Sequence, residues 1–162
     1  MDKSIFEKLA KQLAQQGFNI VAKDFERPWG GFFVVDEQQA QAFADCYFDG
    51  LNVDSLRIGG KLSPKILVVT PQKRLSWQYH NRRAEIWQVL EGNVGVVRSA
   101  TDVENELEVM KPGNRIVLGC GERHRLVGLQ DWAVLAEIWQ HTDPQNPTDE
   151  DDIVRLQDDF GR

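Results

Sequence analysis

From Leu62 onward the chain breaks into short apolar runs separated by Gly, Pro and Asn at intervals of about ten residues, a spacing that fits strands and is too short for helices. Such a rhythm confines the fold to a β-sandwich or barrel. The runs predict strands over 65–70, 74–80, 85–91, 94–99, 106–110, 115–118, 124–128 and 133–141. The first third reads differently. Ser4 and Glu7 form a capping-box pattern, and Ile5, Phe6, Leu9 and Leu13 share one side of a helix that stops at Gly17. Arg27-Pro28-Trp29-Gly30-Gly31 interrupts it, and 32–35 reads as a strand. Asp36 and Gln39 then offer a second cap, ahead of Ala40, Phe43, Ala44 and Tyr47 at helical spacing, with Gly50 as the stop. The expected organisation is one mainly β domain, with 1–60 as helical decoration, 61–142 as the barrel and 143–162 as an acidic C-terminal arm, either a surface extension or a lid. That arm holds seven acidic side chains between Asp143 and Asp159, against Arg155 alone.

Composition narrows the function. Nineteen lysines and arginines against 25 acidic residues give a net charge of −6, which argues against a broad phosphate-neutralising face and hence against nucleic acid as partner. No apolar run approaches the roughly 18 residues needed to span a bilayer, and the start lacks the apolar stretch of a signal peptide, so a cytoplasmic protein without membrane contacts is expected. Cys46 and Cys120 stand far apart without a paired-Cys motif, which predicts reduced thiols rather than a disulfide or a Cys-based zinc site.

The chemistry concentrates in 75–85. Gln78 and His80 are two apart on a predicted strand, so both side chains leave the same face. A tight reversal over 81–84 lets Glu85 open the next strand toward the same interior. The glycines of 113–121 permit a turn that returns His124 beside the first pair. One amide oxygen, one carboxylate and two imidazoles make a mixed N/O set that suits a single divalent ion, zinc first, with Mn²⁺, Ni²⁺ or Fe²⁺ open. Separately, Gly59 to Ala84 contains six basic residues (Lys61, Lys65, Lys73, Arg74, Arg82 and Arg83) and no acidic one, a local positive field suited to an anionic ligand or, equally, to a guarded edge strand. The pentapeptide Ala84-Glu85-Ile86-Trp87-Gln88 recurs as Ala136-Glu137-Ile138-Trp139-Gln140, which reads as either a duplicated half or two similar strands of one barrel.

Gln78-x-His80-x4-Glu85-x6-Gly92 and Gly113-x5-Gly119-x-Gly121-x2-His124 resemble the two cupin motifs, with Gln in place of the first His. Arg27-Pro28-Trp29-Gly30, the 74–87 segment, Gly121-x2-His124-Arg125 and Asp151-Asp152-Ile153-Val154-Arg155 are similar to the type II mannose-6-phosphate isomerase cupins. The resemblance implies a double-stranded β-helix jelly roll, here with an N-terminal helix and an inserted second helix. It also implies one metal on Gln78, His80, Glu85 and His124, and interconversion of mannose 6-phosphate and fructose 6-phosphate. It assigns Arg83 to electrostatic support, while Lys65, Arg74 and Arg125 are the expected phosphate contacts. An aldose–ketose shift needs a base for the C1/C2 proton, and Glu137, His141 and Lys65 are the candidates. The sequence departs from the family where Gly119-Cys120-Gly121 replaces Pro-Ala-Gly and Gly128 replaces Asn. No nucleotidyltransferase domain is expected ahead of the cupin domain, so pyrophosphorylase activity is not implied. A homodimer is expected from the habit of small jelly rolls. Two other readings stay open, a non-catalytic cupin that binds a carbohydrate or its phosphate and an iron-dependent oxygenase.

Overall fold

Strand alternation sorts the apolar side chains of this chain onto two faces of one sheet, and each face finds its own cover. The computed structural model describes residues 3–57 and 60–161. In order these form α1 (Ser4–Gln15), β1 (Ile20–Arg27), β2 (Gly30–Val35), α2 (Ala40–Tyr47), β3 (Lys65–Val69), β4 (Trp77–Tyr79), β5 (Arg83–Glu91), β6 (Val94–Ser99), β7 (Glu108–Met110), β8 (Arg115–Leu118), β9 (Arg123–Gly128), β10 (Ala133–His141) and β11 (Val154–Gln157). Two antiparallel sheets result, ordered β1-β2-β3-β10-β5-β8 and β11-β4-β9-β6-β7.

The first sheet buries Leu67, Val69, Trp87, Val89 and Leu135 against Val94, Val96 and Leu126 of the second. Its other face, carrying Phe33, Ile66, Val68, Ile86, Val134 and Ile138, packs under Phe6, Leu9 and Leu13 of α1 and Phe43 and Ala44 of α2. Each fully buried Val, Leu, Ile or Phe among them contributes about 1.5–3 kcal/mol. The helices therefore cap the sandwich from outside and leave the space between the sheets for chemistry. Among the described residues no helix is long and apolar enough to cross a membrane.

The expected mainly β fold is the observed one, and the predicted strands at 94–99, 115–118 and 133–141 match observed strands. The run 74–80 shortens to β4, because Arg74 forms only an isolated bridge to Val127 and Leu75 a single backbone bond to Leu126. Two strands carry little sequence signal. β1 and β11 lie at sheet edges, mostly exposed, so neither shows the alternation that marks a half-buried strand. Residues 1–60 therefore supply two strands of the first sheet as well as helices, and the acidic arm supplies an edge strand of the second. The capping patterns also resolve differently from expectation. Lys3 occupies the N-cap position of α1, with no side-chain cap bond. Asp36 does cap, accepting from the Gln38 amide, while Gln39 bonds backwards to Asn19 and Gly17.

The repeated pentapeptide pairs with itself. In the antiparallel β5–β10 ladder Ala84 faces Gln140, Glu85 faces Trp139, Ile86 faces Ile138, Trp87 faces Glu137 and Gln88 faces Ala136. The two copies are adjacent strands of one sheet, and both glutamates point between the sheets beside the other copy's tryptophan. Close approach of backbone requires glycine at several positions, Gly30 and Gly128 most of all. A Cβ on Gly30 (φ +141°) would sit 1.9 Å from the Val68 carbonyl oxygen, and one on Gly128 would sit 2.0 Å from that of Thr70. The second explains why Asn is absent at 128.

Candidate functional site

The donors come from both sheets. β4 presents Gln78 opposite His124 of β9, and the chain leaves β4 at His80. Two residues, Asn81 and Arg82, reverse direction before β5 begins at Arg83 and delivers Glu85 from the first sheet. His80 Nε2 lies 2.5 Å from Glu85 Oε1, and His124 Nε2 lies 3.2 Å from the same oxygen. All three side chains are buried, and their donor atoms fall within 4.8 Å of one another.

Hydrogen bonds fix the two imidazoles. His80 Nδ1 donates to the Asp152 carbonyl at 2.6 Å, and His124 Nδ1 donates to the Glu122 carbonyl at 2.9 Å. A neutral ring so held turns the lone pair of Nε2 inward. Burial works against the Glu85 charge, but positive charge at the His80 and His124 rings outweighs it and holds its carboxyl well below the usual range, a charge that a bound cation would supply in place of ring protons. Two lone pairs and a carboxylate oxygen thus converge. Glu85 Oε1 and His124 Nε2 are buried without a hydrogen-bond partner, which is a cost unless a cation completes the site. The residues fit a divalent ion. Gln78 lines the same cavity, its amide oxygen accepting from the Ser76 hydroxyl at 2.5 Å.

The site opens into a cavity of about 430 Å³ bordered by Lys65, Gln78, Arg83, Glu85, Glu137 and Glu150. Arg83 is buried over the Trp139 ring at 4.0 Å and donates to the Thr148 hydroxyl and the Asp149 carbonyl. Glu137 is buried opposite Lys65 across the β3–β10 pair and accepts from the Trp87 indole at 3.3 Å. Lys65 also stands over the Trp139 ring, 4.7 Å from its centroid, and burial lowers its pKa, with Glu150 opposing that and the Arg83 charge adding to it.

The remaining predicted site residues lie elsewhere. His141 is buried with both ring nitrogens engaged, Nε2 donating to the Lys61 carbonyl and Nδ1 accepting from the Thr148 amide, which leaves it no atom for proton transfer. Arg74 is paired with Asp159, and buried Arg125 with Glu104 and Gln157, both outside the cavity wall. Of the three expected phosphate contacts only Lys65 faces the cavity. Cys120 donates its thiol to the Asn81 carbonyl and stands outside the donor set.

The acidic arm is the part that residue patterns undersold. Its Asp149 pairs with Arg82, Glu150 with Lys65 and Asp159 with Arg74, so it neutralises much of the basic 59–84 run. Asp152 accepts from the Asn81 and Arg82 amides and from the Thr148 hydroxyl, and so fixes the turn between two of the donors. Opposite charge in two distant segments is the signal that could have paired them.

Comparisons with known proteins agree with this geometry. The model of the family described as mannose-6-phosphate isomerase C-terminal matches residues 36–158, a span that includes α2. Mannose-1-phosphate guanylyltransferase of Salmonella montevideo is 25% identical over 161 residues, 99% of this chain and 27% of the relative. Xanthan biosynthesis protein XanB of Xanthomonas campestris pv. campestris (strain B100) is 31% identical over 110 residues, 67% of this chain and 22% of the relative. The chain spans about a quarter of the length of these curated relatives. Among solved structures, oxalate decarboxylase from Bacillus subtilis superposes with a TM-score of 0.56 at 15% identity, covering 83% of this chain and 30% of that one, a likeness of fold. The fold is the cupin sandwich that the two motifs imply.

Proposed function

The chain belongs to the mannose-6-phosphate isomerase C-terminal family, and from that premise we propose that it is a metal-dependent aldose–ketose isomerase acting on a phosphorylated sugar of the mannose 6-phosphate type. The observation that carries the reading is the convergence of the His80, His124 and Glu85 donor atoms beside a cavity that Glu85 and Gln78 line and that also holds the buried Glu137 carboxylate and the buried Lys65 ammonium.

His80, Glu85 and His124 would hold the ion, with Gln78 as the fourth donor. Bound there, a divalent cation supplies Lewis-acid stabilisation to the sugar oxygens as negative charge develops. Glu137 is the base: it takes the proton from C2 of the open-chain aldose as O1 gains one to give the cis-enediol, then returns its proton to C1 as the O2 proton is lost and the ketose forms, the O2 proton making good the one taken up at O1. Its bond from Trp87 holds one oxygen and orients the other. Arg83, fixed over Trp139, adds positive potential beside the reacting oxygens. Lys65 binds the phosphate. The cavity, about 430 Å³ and open to solvent on one side, is large enough for one hexose phosphate.

The test is a coupled isomerase assay on protein stripped of metal and reloaded separately with Zn²⁺, Mn²⁺, Ni²⁺ and Fe²⁺, with mannose 6-phosphate, free mannose and lyxose offered in parallel. Metal-dependent turnover of the phosphate ester is expected, with loss of at least about 100-fold in kcat for Glu137→Gln and none remaining for His80→Ala. Metal binding without turnover of any sugar would refute the assignment and leave a carbohydrate-binding cupin.

A further inference from the structure

Lys65 and Glu150 form an ion pair of unequal partners. The lysine side chain is 11% exposed, enclosed by Trp139, Glu137 and the strand it belongs to, whereas the glutamate side chain is 62% exposed on the acidic arm. Its two carboxylate oxygens approach Nζ at 3.1 and 3.4 Å, both within hydrogen-bond reach. Pulling the two apart therefore costs them differently. Glu150 regains water by a small movement of the arm, but Lys65 would be left as a buried, unpaired charge. While charged, Lys65 therefore needs an anion close by, and among the described residues Glu150 is its ion-pair partner and the one exposed enough to leave.

We infer that Glu150 is a resident counter-ion which the phosphate of the substrate displaces from Lys65, and that it acts as a specificity-determining residue by admitting only ligands able to replace its charge. A neutral sugar offers Lys65 no such replacement and leaves Glu150 in place, narrowing the cavity whose wall both residues form. A phosphate ester brings a dianion with several acceptor oxygens, replaces one carboxylate contact with a stronger one, and releases Glu150 to solvent. The exchange is one of contacts, with no bond made or broken. It rests on the reading of the cavity as a sugar-phosphate site, yet it concerns binding rather than turnover.

Asp151, the next residue, supplies a control built into the chain. It is exposed, carries the same charge, and is not the ion-pair partner of Lys65, so its removal changes the local field without removing the counter-ion. Calorimetric titration with inorganic phosphate, on full-length protein of matched metal content, compares wild type with Glu150→Gln and Asp151→Asn. Glu150→Gln is expected to bind phosphate about 3- to 10-fold more tightly, the equivalent of losing one partly screened competing ion pair. Asp151→Asn is expected to change it less than about twofold by general screening. Equal tightening in both variants, no tightening in Glu150→Gln, or no phosphate binding by any of the three proteins overturns the inference. Failure of the isomerase assay with the expected binding pattern intact would refute turnover alone, so the two proposals fail separately.

Discussion

Asp152→Asn tests the link between the acidic arm and the donor turn. The buried Asp152 carboxylate accepts from the Asn81 amide at 2.9 Å, the Arg82 amide at 2.9 Å and the Thr148 hydroxyl at 2.7 Å. Hydrogen bonds to an ionised group are each worth about 1.5–3 kcal/mol, and they do not add fully. The asparagine keeps one acceptor oxygen but turns an NH2 group toward donors, so at least one backbone amide of the turn loses its partner. The expected net loss is about 2–4 kcal/mol, a large part of the roughly 5–15 kcal/mol that holds a domain together. Urea denaturation at pH 7 should show it as a lower midpoint at unchanged slope, and thermal melts as a drop of about 5–15 °C. Because the backbone oxygen of the same residue orients His80, metal affinity should also fall by about 10–100-fold. A stability loss below about 0.5 kcal/mol, with metal affinity unchanged, would mean that the turn is held by other contacts and that the argument for the arm is wrong.

Metal removal offers a second check. Zinc at about 100 times its Kd should stabilise the wild type by about 2.7 kcal/mol, an increment absent in Glu85→Ala; equal stabilisation of both by thermal shift would place the ion elsewhere. Gly128→Ala should cost about 2–4 kcal/mol in urea unfolding, because the new methyl meets the Thr70 carbonyl at 2.0 Å and that oxygen is backbone; a neutral result would mean that β9 shifts freely. Asp159 is held well below the usual carboxylate range by the Arg74 hydrogen bonds. A depressed folded-state pKa gives stability that is present above the ordinary carboxylate value and lost as pH falls through the folded one. Asp159→Asn should therefore lower Tm slightly at pH 7 in low salt, and the difference should vanish in strong acid or 1 M salt; a difference that survives both would not be electrostatic.

The sequence showed the site's donors more plainly than its surroundings, for a physical reason. Spacing of two along a strand and a short reversal dictate that Gln78, His80 and Glu85 face one interior, and glycines around 119–121 let His124 join them. Those are local rules. Whether Arg74, Arg125 or Lys65 faces the cavity depends on which acids lie nearby in space, and the acids come from Glu104, Glu150 and Asp159, far along the chain. His141 was ambiguous for the same reason: its two partners, the Lys61 carbonyl and the Thr148 amide, are set by tertiary contact. Glu137 became legible only through register, since the self-pairing of the repeated pentapeptide turns it inward with Glu85. Edge strands β1 and β11 stayed hidden because a strand solvated on most sides has no hydrophobic period to display.

The order in which the chain can assemble follows from where β4 finds its neighbours. This three-residue strand carries Gln78 and leads into His80, yet it pairs with β9 and β11, both far downstream, while β5 follows it into the opposite sheet. Contacts of such long separation pay their loop-closure entropy before they gain anything. The β5–β10 and β6–β9 ladders, longer and richer in apolar side chains, can close the sandwich without β4. The donor set would then be completed last, on a barrel that already exists. An ion arriving early would meet scattered ligands, and refolding followed by tryptophan fluorescence should proceed at one rate with or without metal, while unfolding should slow when metal is bound.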